Sequence, residues 1–532
     1  MSVCARKAAD PARTPSTLSE LVDLAARVSP DTVALVGLDV ERTWAAVDRD
    51  TRGLASRLVA CGVRPGDRVA VARRKGHESF EAVHGVLRAG GTVVPIDPFA
   101  PPAVARQVIA DAGVRAVVGD AATVGPLDPW SAVDHELTAV VVSGELSGRA
   151  TLAWDDAVRD RSTVSLPVID PDDPAYIIYT SGSTGRPKGI VHSHRSALAY
   201  ATRAASEYGL GPHDRLAGMN PLHFDMSTLE LYAAPLARVT VVVMSEPHLQ
   251  FPASFTQRSA EQAVTIWYTV PFLLRAVEAR GGLDKRPLPA LRAVLYGGES
   301  YPGAALRRLM GMLPGVEVVN VYGPAEVNAC AHHHVADVSS LGDRVPIGRP
   351  WADTEVRVVD DGGHDVGTGT PGELWVSTPT VMDRYWGGDE LTRARLRPRR
   401  DGPPWYATGD IVTRDSTGLL WFEGRRDHQV KVRGVRLELD AIEAVLAGAP
   451  DVVHAVAGPS DDLAHIVAAV VLRDGARPDT PALRRWCADR LSAVAVPHRI
   501  QYVTDLPATA SGKVDRAAVR ARLRLGDVPQ TH

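Results

Sequence analysis

The stretch Tyr179-Thr180-Ser181-Gly182-Ser183-Thr184-Gly185-Arg186-Pro187-Lys188-Gly189 constrains this chain more than any other. Apolar Ile177-Ile178 precede it, so it leaves a buried strand. A run of hydroxyl and glycine residues frees backbone N–H groups to point one way, with hydroxyl donors beside them, and Lys188 adds a point charge; that is chemistry for a polyphosphate. It is not a Walker A loop: Pro187 stands where GxxxxGK[ST] needs glycine, and Gly189 follows the lysine. A flexible Gly/Ser linker has no reason to carry Pro-Lys-Gly behind a buried strand.

The surrounding pattern says what such a loop sits on. Leu54, Leu58 and Val59 keep helical spacing until Gly62, and Val69 and Val71 form a short strand after the Pro65-Gly66-Asp67 turn. Glu81 to Ala89 is helical again, and Thr92 to Ile96 is a buried strand. Apolar runs recur at 116–118, 140–142 and 239–244. Strands alternating with helices predict parallel sheets covered by helices. The 532 residues, 45% of them hydrophobic, suffice for several such units. Near Gly424-Arg425-Arg426-Asp427 the pattern changes: Val430, Val432, Val435 and Leu437 flank Arg433-Gly434 as a hairpin, and Asp440 is expected to cap a helix with Ile442, Val445 and Leu446 as its stripe. We therefore expect an α/β chain, with a large N-terminal domain (residues 1–426) of mostly parallel, helix-covered sheets and a small β subdomain, followed by a small mobile α+β domain (residues 427–532).

Charge and cysteine content exclude several classes. Lys+Arg 59 against Asp+Glu 63 gives a net charge of −4, without the basic surplus that phosphate backbones need, so no nucleic-acid partner is expected. Cys4, Cys61, Cys330 and Cys487 are scattered, which excludes a disulfide scaffold and fits a reducing cytoplasm. No apolar run is long enough to span a membrane, and the first residues lack the apolar segment of a signal peptide. The run His332-His333-His334-Val335-Ala336-Asp337 is read as a loop or strand end. No cysteine or carboxylate cluster joins it in the sequence, so it is not expected to bind metal.

Seven motifs in order give the chain a resemblance. The loop above is followed by Phe224-Asp225-Met226-Ser227 with Glu230, and by Asn320-Val321-Tyr322-Gly323-Pro324-Ala325-Glu326. Gly372-Glu373-Leu374 and Tyr406-Ala407-Thr408-Gly409-Asp410 come next. Gly424-Arg425-Arg426-Asp427 with Lys431-Val432-Arg433-Gly434, and then Ser511-Gly512-Lys513, complete the series. Over nearly its whole length the chain resembles the adenylate-forming enzymes: acyl-CoA ligases, luciferases and adenylation domains of nonribosomal peptide synthetases. It looks most like the stand-alone enzymes that load proline onto a carrier protein.

The resemblance implies ATP and Mg2+ as cofactors, a carboxylic acid activated as its adenylate with release of pyrophosphate, and transfer to a thiol. Thr180, Ser181, Gly182, Ser183, Thr184, Gly185 and Lys188 match the family's phosphate loop, with Thr184 and Lys188 also catalytic. Lys513 matches the lysine bridging substrate carboxylate and phosphate, and Glu326 the magnesium ligand. Tyr322 and Gly323 match the adenine site, while Asp410 and Arg425 match ribose and nucleotide contacts. Ala325 departs from the family's usual threonine, removing one hydroxyl donor.

Asp225 matches the aspartate that pairs with the substrate ammonium in members acting on amino acids; a charge buried without a partner costs several kcal/mol. Met226, Leu229, Tyr268, Leu295, Gly297, Val321, Ala329 and Cys330 match the other pocket positions, with Lys513 at the carboxylate. None of the pocket walls is charged, so a small or medium apolar amino acid is implied. Proline is the first choice, with glycine, alanine, serine or a non-proteinogenic relative still open, as is an acyl-CoA ligase for another small acid. Only 19 residues follow Lys513 and none forms a phosphopantetheine attachment site, so the expected acceptor is a separate phosphopantetheinylated carrier protein of secondary metabolism. Asp427 matches the hinge and Gly434 the thiol tunnel.

Overall fold

The computed structural model describes residues 14–127, 137–146, 151–162, 164–180, 187–335 and 342–507, with Arg516, Ala518, Val519 and Leu523. Two helix-covered sheets dominate it. In the eight-stranded sheet the order is 384–385, 188–193, 174–180, 92–95, 68–72, 116–120, 139–143, 152–153, and all neighbours from 174–180 onward are parallel. The nine-stranded sheet runs 349–350, 331–334, 317–322, 293–297, 266–269, 215–218, 240–243, 33–36, 41–43, parallel in its centre and antiparallel at its edges.

Strand periodicity explains why both faces of each sheet are buried. Val69 and Val71 point into one apolar core, while Ala70 and Ala72 point into another on the far face. In the larger sheet Leu216, Val241, Ile266 and Leu295 share that first core, and Ala217, Val242, Trp267 and Val294 fill an outer one. The two sheets thus meet in one core. The helices Trp44–Ala60, His77–Arg88 and His194–Glu207 all bury residues there. Thr43 caps the first of them by accepting the Ala46 N–H at 3.3 Å, and Gly62 just beyond its end adopts φ +93°. The expected helix at Glu81 begins earlier, at His77, where the Ser79 hydroxyl accepts the Gly76 N–H at 3.2 Å.

A five-stranded antiparallel sheet follows, with Gly372–Ser377 and Trp405–Arg414 at its centre and Leu420–Arg425 at its end. The smaller C-terminal domain then holds the hairpin Gln429–Val432/Val435–Glu438, the helix Leu439–Ala447 and a three-stranded sheet of 452–459, 466–472 and 499–502. The hairpin turn is left-handed at both Arg433 (φ 53°) and Gly434 (φ 79°), the geometry of a two-residue turn matched to strand twist. Asp440 is not the helix cap the sequence led us to expect. The cap position is Glu438, whose carboxylate points into the interdomain cleft, and Asp440 in the first turn binds His428 and Arg516, each at 3.0 Å.

Candidate active site

The residues of the candidate pocket gather where the central strands of the larger sheet end. Tyr268 lies on 266–269, Leu295 and Gly297 on 293–297, and Val321 on 317–322, with Tyr268 beside Leu295 and Gly297 beside Val321 in register. Met226, Leu229 and Ala329 come from loops and a short π-turn at the same edge, and all share one apolar core with Tyr268, Leu295 and Val321. Parallel sheets bind ligands at this edge because the loops leaving the strands enclose a crevice there. Cys330 is buried elsewhere: it packs with Val327, Tyr385 and Tyr406, and its thiol lies 3.6 Å from the Tyr322 carbonyl. The Tyr268 hydroxyl lies against Tyr200, and burial first, then that neighbour, pushes it well above the ordinary tyrosine value, so it stays neutral.

Asp225 is the acid of this pocket. Its Oδ1 accepts the Met226 N–H at 2.9 Å. Burial pushes its carboxyl up, opposed by the Lys431 ammonium and by that N–H. Lys431 is pushed down by burial, against the pull of Asp410 and Asp225. Each group thus gains from the other without recovering what water supplied.

Around the pocket lies a rim of charge pairs. Glu326 is fully buried, accepts the Tyr385 hydroxyl at 2.8 Å, and receives Arg436 Nη1 on both oxygens at 2.9 Å. Burial would raise this carboxyl, yet Arg436 and Tyr385 outweigh it and bring it down to about 2. Lys188 donates to Glu438 at 2.9 Å, and the same oxygen accepts Gln429 at 2.6 Å. Asp410 accepts from the Tyr322 hydroxyl and from Arg425, while Arg425 forks onto both oxygens of Asp427 at 2.7 and 3.0 Å.

The backbone beneath this rim is fixed by His192, whose Nε2 lies 2.9 Å from the Ala325 carbonyl and whose ring stacks on Tyr176. Burial lowers His192 to about 4, so it is neutral and donates that bond. At the hairpin tip, Gly434 N–H donates to Glu299. A Cβ at Gly434 would come within 2.5 Å of Val270, so only glycine lets the tip sit this close to the larger domain.

The structure brings together Lys188, Asp225, Glu326, Tyr322, Asp410, Arg425, Asp427 and Gly434 along one cleft. Thr180 pairs with Lys188 across the strands that flank the phosphate-loop motif, while Ser181, Gly182, Ser183, Thr184, Gly185 and Lys513 lie outside the described residues. Sequence reading missed Lys431, Arg436, Glu438, Tyr385 and His192. Lys431 stood inside a quoted motif, and its place between Val430 and Val432 on the first strand of the expected hairpin was the available signal. The partners of the others lie too far away in sequence for any local pattern to reveal them.

Two helix-covered sheets joined at their strand ends to a small, charge-lined C-terminal domain define a nucleotide-activating enzyme class, and the comparisons agree. The AMP-binding enzyme family matches residues 22–386, and the AMP-binding enzyme C-terminal domain matches 441–513. The chain belongs to the AMP-binding enzymes. It is 32% identical to an L-proline–[L-prolyl-carrier protein] ligase of Pseudomonas fluorescens, covering 92% of this chain and 96% of that protein. The ligase of the same description from Streptomyces coelicolor is also 32% identical, covering 91% and 92%. Among solved structures, the amide bond synthetase McbA of Marinactinospora thermotolerans superposes with a TM-score of 0.85 at 28% identity, covering 96% of this chain and all of that one. Among the described residues no helix is long and apolar enough to cross a membrane.

Proposed function

We propose that this protein activates L-proline with ATP as prolyl-adenylate, releasing pyrophosphate, and passes the prolyl group to the phosphopantetheine thiol of a separate carrier protein. The observation that carries this is Asp225: a buried acidic side chain between the Lys431 ammonium and the apolar residues around Tyr268, where a substrate ammonium gains a carboxylate partner. The two carrier-protein ligases that match nearly end to end support the same substrate and acceptor.

In the first half-reaction a substrate carboxylate oxygen attacks the α-phosphorus, and the bond to the β-phosphate oxygen breaks. Both partners are anions, so the site must supply positive charge and alignment. Lys188 and Lys513 supply it in this reading; Asp410 accepts from the ribose and Tyr322 stacks on adenine. Glu326 is ionised and buried, which suits a hard divalent cation, and it would hold Mg2+ once Arg436 withdraws. Mg2+ would neutralise the phosphate charge. In the second half-reaction the thiol sulfur attacks the acyl carbon and AMP leaves. The hairpin seated against Glu326, Lys188 and Glu299 fits that second stage, with residues 427–532 turning about Asp427 between the two.

ATP–pyrophosphate exchange across the twenty amino acids, followed by intact-mass analysis of a phosphopantetheinylated carrier, tests the proposal. Proline should give the highest exchange and add one prolyl mass to the carrier. Exchange that ignores proline would retire the substrate, and exchange without carrier loading would retire the acceptor.

A further inference from the structure

The histidine run absorbed by none of this chemistry sits on the strand Ala331–His334, one strand from the edge of the larger sheet. Residues two apart on a strand share a face, so His332 and His334 project together. Their rings lie 4.8 Å apart, nearly perpendicular. The helix His194–Glu207 brings its last residue to the same spot: Glu207 Oε1 stands 3.4 Å from His332 Nε2. One ligand atom from each of Glu207, His332 and His334 lies within 4.8 Å of the others. The carboxylate that the sequence neighbourhood lacks thus arrives from over a hundred residues away.

We propose that Glu207, His332 and His334 form a binding site for a zinc-class divalent cation. Ligand atoms around one tetrahedral zinc stand about 3.3 Å apart, which the His332–Glu207 separation already meets. Glu207, partly exposed at the helix end, can swing to close the remaining gap. Two imidazoles and a carboxylate select Zn2+, Ni2+ or Cu2+ over Mg2+, which prefers an all-oxygen shell. The outer contacts suit this role. His334 Nδ1 lies 2.6 Å from Glu317, which leaves Nε2 for the ion and fixes the ring as a carboxylate–histidine–metal arrangement requires. His332 Nδ1 is buried with no hydrogen-bond partner, so the protein does not saturate this ring. Arg203 approaches the other Glu207 oxygen at 3.8 Å but directs its Nη2 at Asp353, 3.2 Å away, so its charge is shared with a second carboxylate. Three protein ligands leave a fourth position for water. The ion would tie the end of that helix to the strand paired with Val321 and Tyr322.

Titration of the tag-free full-length chain with Co2+, followed by visible ligand-field absorption, and with Zn2+, followed by displacement of that signal and by Tm, tests the site. One equivalent of Co2+ should bind tetrahedrally, Zn2+ should displace it and raise Tm, and Mg2+ should do neither. His334→Ala and Glu207→Gln should each weaken binding more than tenfold, and Glu317→Gln about tenfold. His334 is 40% exposed, so its variant is not expected to unfold the chain. Absence of saturable one-equivalent binding, displacement by Mg2+, or unchanged affinity in both His334→Ala and Glu207→Gln would overturn the proposal.

Discussion

The candidate pocket and the charged rim beside it are built on opposite plans. The pocket is assembled by neighbouring strand ends within one sheet, and its walls are apolar groups that need no partner. In the rim charges are matched by others, some from distant parts of the chain: Arg436 with Glu326 across 110 residues, and Lys188 with Glu438 across 250. A rim of the second kind satisfies itself, so on the proposed function phosphate and cation would have to displace protein partners, and the two half-reactions would be mutually exclusive states of one cleft.

The largest expected effect tests the pocket. Asp225→Ala should lower proline-dependent exchange by at least about 10²-fold, because a buried ammonium left without its partner costs about 3–5 kcal/mol. A variant with near-normal exchange would mean the acid does not face the substrate. Lys513→Ala should lower exchange by a comparable 10²–10³-fold, the scale for removing one preorganised charge, while transfer from supplied prolyl-adenylate to carrier survives. Equal failure of both halves would end the two-state account of the rim.

These tests also mark how far the sequence reaches. Alternation and turn chemistry made the sheets legible: Val69, Val71 and the 116–118 and 140–142 runs fall in strands, and Arg433-Gly434 is the hairpin turn. Motif resemblance located Glu326, Lys188 and Asp410, yet not what holds them. Arg436 and Glu438 are an alternating pair on a hairpin strand, a pattern that says only that both share a face; which distant carboxylate or lysine they meet is decided by domain packing. Asp440 was misjudged for a related reason: capping preference is local and weak, whereas Glu438 is fixed by Lys188 and Gln429 across the cleft. Glu207 beside the histidine run escaped notice likewise, since nothing in a helix end announces the strand it packs on.

Smaller effects sharpen the contrast. Arg436→Met should slow thiol transfer about tenfold or more and leave exchange within a few-fold, since Arg436 secures the state seen here. A loss confined to exchange would reverse the assignment of this arrangement. On the pocket side, burial holds the Asp225 carboxyl above the ordinary aspartate value, and the ionised form is the one that binds ammonium. Exchange at subsaturating proline should therefore be present above that raised pKa and fall as pH drops through it. The fall should begin at higher pH than an exposed aspartate would give, and a profile flat down to the ordinary aspartate range would contradict it. The smallest effect is Ala325→Thr. One added hydroxyl beside phosphate is worth about 1.5 kcal/mol, the lower end for a hydrogen bond to a charged group, and exchange should rise no more than about tenfold, with no change in amino acid preference.

Comparing L-proline with tetrahydrofuran-2-carboxylate in the exchange assay tests the central claim most directly, because the two differ only in the ring atom that carries the charge. A site built around Asp225 should favour proline by 10²-fold or more, since the oxygen analogue brings no ammonium to that carboxylate. Comparable exchange with both acids would contradict the account.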